Sequence, residues 1–220
     1  MTHGVPRVLL INPNSAMATT AMMVAIARET AGPAAHVAGA TATRAPNMIV
    51  DPDALTAAAA EVVEIGLVAA SSHDALIVAA FGDPGLNELR AVSPIPVAGI
   101  AESAMREAAA HGRFAVVTTT PRLASRIDAY VAALGLTAHY TGTRLTPGDP
   151  HHLTRDPANL LRALAEATGI AITRDHAQSV IIGGGPLAQA AAELQPLFPI
   201  SIIAPIPAAV RRVLTMLAPV

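Results

Sequence analysis

Short apolar runs alternate with alanine-rich stretches of helical character along this chain, and that alternation constrains its fold more than any other feature. Residues 7–11, 75–80, 97–100, 114–118, 179–182 and 200–203 are largely apolar and short enough for strands buried on both faces. Residues 36–41 and 138–143 are weaker strand candidates. Helices are predicted over 16–30, 53–70, 102–111, 121–134, 159–173, 187–195 and 207–217. Strand–helix alternation of this kind predicts an α/β fold with parallel sheets covered by helices.

The order also repeats. Val8-Leu9-Leu10-Ile11-Asn12 has a counterpart in Ala115-Val116-Val117-Thr118-Thr119, and Ile77-Val78-Ala79-Ala80 has one in Ile181-Ile182-Gly183-Gly184. Pro96-Val97-Ala98-Gly99-Ile100 matches Ser201-Ile202-Ile203-Ala204-Pro205, again a little over one hundred residues away. The repeat predicts two similar Rossmann-like lobes, 1–100 and 101–206, with the last helix (207–220) returning to the first lobe and a cleft between the lobes. One continuous doubly wound sheet would give a similar alternation.

Bulk composition narrows the function. The chain has 220 residues, 52% of them hydrophobic, which is ample for a buried core. Fourteen basic residues oppose sixteen acidic ones, and no basic stripe appears. Aromatic residues make up only 2%, so stacking platforms are scarce and nucleic-acid binding is not expected. The chain has no cysteine, which rules out disulfides, thiolate catalysis and Cys-based metal sites. No His/Asp/Glu cluster has zinc-ligand spacing, so no metal is expected. The alanine-rich stretch 57–70 carries Glu61 and Glu64 and is too polar and short to span a bilayer. No apolar signal segment precedes the first strand, so the cytoplasm is the expected location. Assembly into a homo-oligomer is compatible with the sequence.

Ligands of such sheets gather at the carboxyl ends of the strands. Four strand ends here carry polar or glycine-rich turns: Asn12-Pro13-Asn14-Ser15, Phe81-Gly82-Asp83-Pro84, Thr118-Thr119-Thr120 and Gly183-Gly184-Gly185. Asn or Ser before a helix is a natural cap, yet a helix start with spare donors also suits a carboxylate or imide oxygen. Three consecutive glycines let backbone N–H groups approach a ligand closely, but they lack dinucleotide-binding spacing. Asp83 is a candidate base if buried, although an Asx turn with Pro84 and Gly85 explains it at least as well. His152, beside His151 in a loop, could bring an imidazole to the cleft or simply be exposed. Glu102 reads as a solvated or capping residue.

The phrases Ile77-Val78-Ala79-Ala80-Phe81-Gly82-Asp83-Pro84-Gly85-Leu86 and Val180-Ile181-Ile182-Gly183-Gly184-Gly185-Pro186-Leu187 resemble the two catalytic loops of the aspartate/glutamate/hydantoin racemase superfamily. Ile11-Asn12-Pro13-Asn14-Ser15 resembles the opening of many hydantoin-racemase-like chains, and the resemblance spans nearly the whole sequence. It implies two α/β lobes, a small-molecule pocket and no cofactor. By position it assigns substrate binding to Asn14, Ser15, Ala80, Phe81, Gly82, Thr118, Thr119, Thr120, Gly184 and Gly185. In the racemases one thiolate removes the α-proton and an opposed thiol returns one. Those two cysteine positions fall on Ala80 and Gly184, neither of which can carry a proton. A Gly-Pro-x-Ser-Ile-Glu-like phrase of the hydantoin racemases corresponds here to Ala45-Pro46-Asn47-Met48-Ile49-Val50, where Met48 and Val50 replace a hydroxyl and a carboxylate.

The resemblance therefore implies a cofactor-independent enzyme acting on a small hydantoin-like cyclic amide or carboxylate through an oxyanion cradle. Isomerase, hydrolase and lyase chemistry all need that cradle. The alternative is an inactive small-molecule-binding homologue. Asp83 and His152 are the side chains available to replace the thiols.

Overall fold

The computed structural model describes residues 4–218. It contains two four-stranded, all-parallel sheets of identical topology. The first comprises β1 (Arg7–Asn12), β2 (His36–Thr41), β3 (Ala75–Val78) and β4 (Val97–Gly99), in the order β2-β1-β3-β4. The second comprises β5 (Phe114–Thr118), β6 (Tyr140–Leu145), β7 (Ser179–Ile182) and β8 (Ser201–Ile203), in the order β6-β5-β7-β8. The internal repeat is thus a repeat of strand order. Two compact units divide the chain. One holds the chain up to Ile49, Asp53–Ser103 and the segment from Ile206; the other holds Val50–Pro52 and Ala104–Pro205.

The helices are α1 (Met17–Ala31), α2 (Pro52–Ala69), α3 (Leu86–Val92), α4 (Ile100–Ala110), α5 (Ala124–Ala133), α6 (Pro150–Leu153), α7 (Pro157–Thr173), α8 (Ala188–Leu194) and α9 (Pro205–Leu217). Their buried stripes follow helical spacing. In α7 the buried positions are Leu160, Ala163, Leu164, Ala167, Thr168 and Ala171. In α2 they are Leu55, Ala58, Glu61, Val62, Gly66 and Ala69, so a carboxylate sits on the core-facing stripe and must find partners there. Among the described residues, no helix is long and apolar enough to cross a membrane.

The central strands β3, β5 and β7 are buried at every position, and β1 at all but its first. Burying such an aliphatic side chain contributes roughly 1.5–3 kcal/mol. Edge strand β6 is only partly buried and begins later than its sequence suggests, because Thr137–His139 closes a 3-10 turn first. Strand β3 stops at Val78; the chain then turns, with the Asp83 amide donating to Ala80 O at 2.9 Å. The sequence reading misses α3, which is seven residues long and starts inside that turn phrase. Gly85 leads into α3 with φ +73°, and a Cβ there would lie 2.6 Å from the Ala59 carbonyl oxygen.

Candidate functional site

In the first unit the loops after β1 and β3 stand side by side, because these strands pair directly in register. The β1 loop is a closed network of amides. Asn12 is fully buried, and its Nδ2 donates to Asn14 Oδ1 (2.9 Å), Ala16 O (3.3 Å) and Thr20 Oγ1 (2.9 Å). Its Oδ1 accepts from the Asn14 amide at 3.2 Å. Asn14 Oδ1 also accepts from the Ala16 amide at 3.0 Å. That bond fixes the Asn14 carboxamide with its oxygen turned to the protein, and among the described residues its Nδ2 meets no acceptor.

After β3, the Ala79 amide still donates to Ile11 O at 2.8 Å. The next three amides, of Ala80, Phe81 and Gly82, donate to no acceptor among the described residues. Asp83 then reaches across to the start of α4. Its two carboxylate oxygens accept from the amides of Ala101 (2.9 Å) and Glu102 (2.7 Å). Asp83 is buried, with φ +48°, and serves as a remote cap on α4. Gly99 makes this possible: a Cβ on it would lie 2.2 Å from Asp83 Cγ.

Glu102 is not solvated, as its sequence position suggests, but buried at 3% exposure. It pairs with Arg90 at 2.8 Å and with Arg212 of α9 at 3.3 Å, which ties the last helix to α4 within this unit. The partners lie 12 and 110 residues away, so no local signal could reveal them.

A third buried carboxylate holds the chain after β2. Glu61 accepts from the Thr43 amide (2.7 Å), the Thr43 hydroxyl (2.9 Å) and the Arg44 amide (3.0 Å). Burial alone would raise the Glu61 carboxyl. The two backbone donors, the hydroxyl and the Arg44 charge outweigh it and hold the group below the usual carboxylate range. The run anchored in this way continues to Pro46 and Asn47, which meet Ser15. The Ser15 amide donates to Pro46 O (3.3 Å) and its hydroxyl to Asn47 Oδ1 (2.8 Å).

In the second unit, the ends of β5 and β7 are likewise neighbours. The Thr118 hydroxyl donates to Gly183 O at 2.8 Å and lies 3.1 Å from Thr120 Oγ1. Since Thr118 spends its proton on Gly183, Thr120 supplies the proton between the two hydroxyls. Thr118 and Thr120 therefore fix the loop, while the Thr119 hydroxyl and the amides of Gly184 and Gly185 meet no acceptor among the described residues. His152 is exposed on α6, whose start is capped by Asp149; Asp149 Oδ1 accepts from the amides of His151 (2.9 Å) and His152 (3.2 Å). No group of three or more His, Asp or Glu side chains that could hold a metal ion occurs among the described residues.

Each loop set thus presents unspent hydrogen-bond donors. Backbone N–H groups and amide hydrogens of this kind suit a ligand rich in carbonyl or carboxylate oxygens, and they stabilise negative charge that develops on such an oxygen.

The family described as Asp/Glu/hydantoin racemase matches residues 8–213 of this chain. A hydantoin racemase from Rhizobium meliloti is 30% identical over 204 residues, 92% of this chain and 85% of the relative. A hydantoin racemase from Pseudomonas sp. (strain NS671) is 28% identical over 191 residues, 86% of this chain and 77% of the relative. The structure of allantoin racemase from Klebsiella pneumoniae superposes with a TM-score of 0.90 at 27% identity, covering 96% of this chain and 86% of that one. With the family matched over nearly its whole length, the chain belongs to the Asp/Glu/hydantoin racemase family.

Proposed function

We propose that this protein binds a small hydantoin-like cyclic amide, such as allantoin, or a small carboxylate, and promotes proton transfer at the carbon next to a carbonyl group. The observation that carries this reading is the set of unspent amides at Ala80, Phe81, Gly82, Gly184 and Gly185. In each unit these amides are donors of the kind that stabilises the charge gathering on an enolate oxygen, an interaction that is often the largest catalytic term. Asn14, Ser15, Thr118, Thr119 and Thr120 complete the proposed substrate-binding set. Ser15, Thr118 and Thr120 act by holding their loops. Ring hydrolysis and decarboxylation would use a similar cradle, but the hydantoin racemase relatives favour isomerase chemistry.

The proton carrier is not a thiol, since the chain has no cysteine. Asp83 spends both oxygens on α4, which makes it a positioning residue in this reading and leaves His152 the first side chain to replace. A second reading, binding without turnover, is favoured by the aprotic side chains at both thiol positions. Calorimetry with allantoin and 5-substituted hydantoins, together with NMR of deuterium uptake in D₂O, separates the two. Binding with exchange above the buffer rate supports the enzyme. Binding without exchange supports the second reading, and no binding rejects both.

A further inference from the structure

We infer that Asn47 is a specificity-determining residue, donating from its Nδ2 to an acceptor oxygen of the ligand, with Ser15 as the residue that orients it. This inference rests on the acceptor-rich ligand proposed above. Its own support is the arrangement of the run after β2. That run is pinned at its root by three hydrogen bonds to the buried Glu61 carboxylate. Its far end is held at the β1 loop by the bond from the Ser15 amide to Pro46 O.

The Ser15 hydroxyl points its proton at Asn47 Oδ1, 2.8 Å away. The hydroxyl that the family resemblance would give to the substrate is thus committed to Asn47. The carboxamide is turned so that its oxygen is spent, while its Nδ2 meets no acceptor among the described residues. Asn47 is exposed, so both of its N–H groups remain open to a ligand. Asn14, the immediate neighbour of Ser15, has the same polarity: oxygen inward and Nδ2 unspent. Two carboxamides with the same sense, one on each side of Ser15 in the network, favour a ligand oxygen over a ligand N–H.

The test compares Asn47→Asp, Asn47→Ala and Ser15→Ala with the wild type. Calorimetry uses hydantoin, allantoin and two hydantoin analogues, each with one ring carbonyl reduced to methylene. Thermal melting is followed in parallel. Asn47→Asp keeps an acceptor for the Ser15 hydroxyl and replaces the donor by a negative charge. It is expected to melt with the wild type and to bind at least tenfold more weakly. Asn47→Ala removes one neutral hydrogen bond, a loss of about three- to tenfold. Ser15→Ala leaves the donor in place but unoriented, and its loss should be smaller. One of the two analogues should bind the wild type more weakly than hydantoin, while Asn47→Ala should no longer distinguish them. A residue with only a structural role would show the reverse pattern, with a lowered melting temperature for Asn47→Ala and wild-type affinity for Asn47→Asp. That result overturns this inference and leaves the functional reading intact. Failure of the wild type to bind any of these compounds overturns the functional reading, and this inference falls with it.

Discussion

Gly99→Ala is the most informative single methyl that can be added to this protein. The new Cβ would lie 2.2 Å from both Cγ and Oδ2 of Asp83 and 2.6 Å from Oδ1. No rotation of the carboxylate clears all three contacts, so Asp83 must withdraw from the start of α4. Two buried bonds are then lost, those from the amides of Ala101 and Glu102. Each bond to a charged acceptor contributes roughly 1.5–3 kcal/mol, so the pair is worth roughly 3–6 kcal/mol. That is a large part of a typical native stability of roughly 5–15 kcal/mol. For a chain of this size it corresponds to a fall in melting temperature of roughly 10–20 °C.

Cost alone would not prove the cause, so the assay is a double-mutant cycle by chemical denaturation. Asp83→Ala removes the same two bonds and should cost a similar amount. In the Asp83→Ala background the carboxylate is gone, and Gly99→Ala should then cost no more than about 1 kcal/mol. The expected coupling is about 3 kcal/mol. Equal costs of Gly99→Ala in both backgrounds would refute the claim that Gly99 exists to admit Asp83.

Three further outcomes are expected. The Thr168 hydroxyl is buried in α7 and unpartnered among the described residues, so Thr168→Val should raise stability by about 1 kcal/mol, read as a higher denaturant midpoint at constant slope. Glu61 and Asp175 are both held below the usual carboxylate range, Asp175 chiefly by its bond to Arg144; their stabilisation is full above the unfolded values near 4 and is lost as pH falls through the depressed folded values. Denaturation curves from pH 6 to pH 2 should therefore show a shallower acid loss for Glu61→Gln and Asp175→Asn than for the wild type. Ala80→Cys/Gly184→Cys should introduce slow deuterium uptake into 5-substituted hydantoins in D₂O, and adding Leu187→Ala should speed it; a third substitution without effect would show that Leu187 does not obstruct the new thiol.

The fold was legible wherever burial is continuous. The central strands β1, β3, β5 and β7 stand out as apolar runs because both faces are covered. Edge strand β6, Tyr-Thr-Gly-Thr-Arg-Leu, has no such run, and its start follows a 3-10 turn that leaves no hydrophobic signature. The loops that carry the spare donors were legible as polar or glycine-rich strand ends. The duties of individual side chains inside them were not. Asp83 looks like a local turn residue, but its partners lie 18 and 19 residues away. Ser15 looks like a substrate donor, but its proton goes to Asn47, 32 residues away. Local spacing reports a residue's neighbours along the chain, and each of these assignments depends on a neighbour across it.

The two aprotic positions are not equivalent sites for a thiol. Ala80 keeps a Cβ and is only partly buried, so a thiol there needs little beyond the sulfur itself. Gly184 is different. A Cβ on it would lie 3.1 Å from both Cγ and Cδ1 of Leu187, a side chain that is itself 3% exposed and has little room to retreat. The space a second thiol would need is therefore narrowed by a leucine three residues along the same loop. The neighbouring amides of Gly184 and Gly185 are nonetheless left unspent, and the Thr118 hydroxyl still fixes the loop through Gly183. The loop thus keeps unspent donors beside a position whose Cβ space Leu187 restricts. A cysteine at position 184 therefore requires Leu187 to yield by a few tenths of an ångström, whereas one at Ala80 adds only the sulfur, so the first substitution is expected to cost more stability than the second.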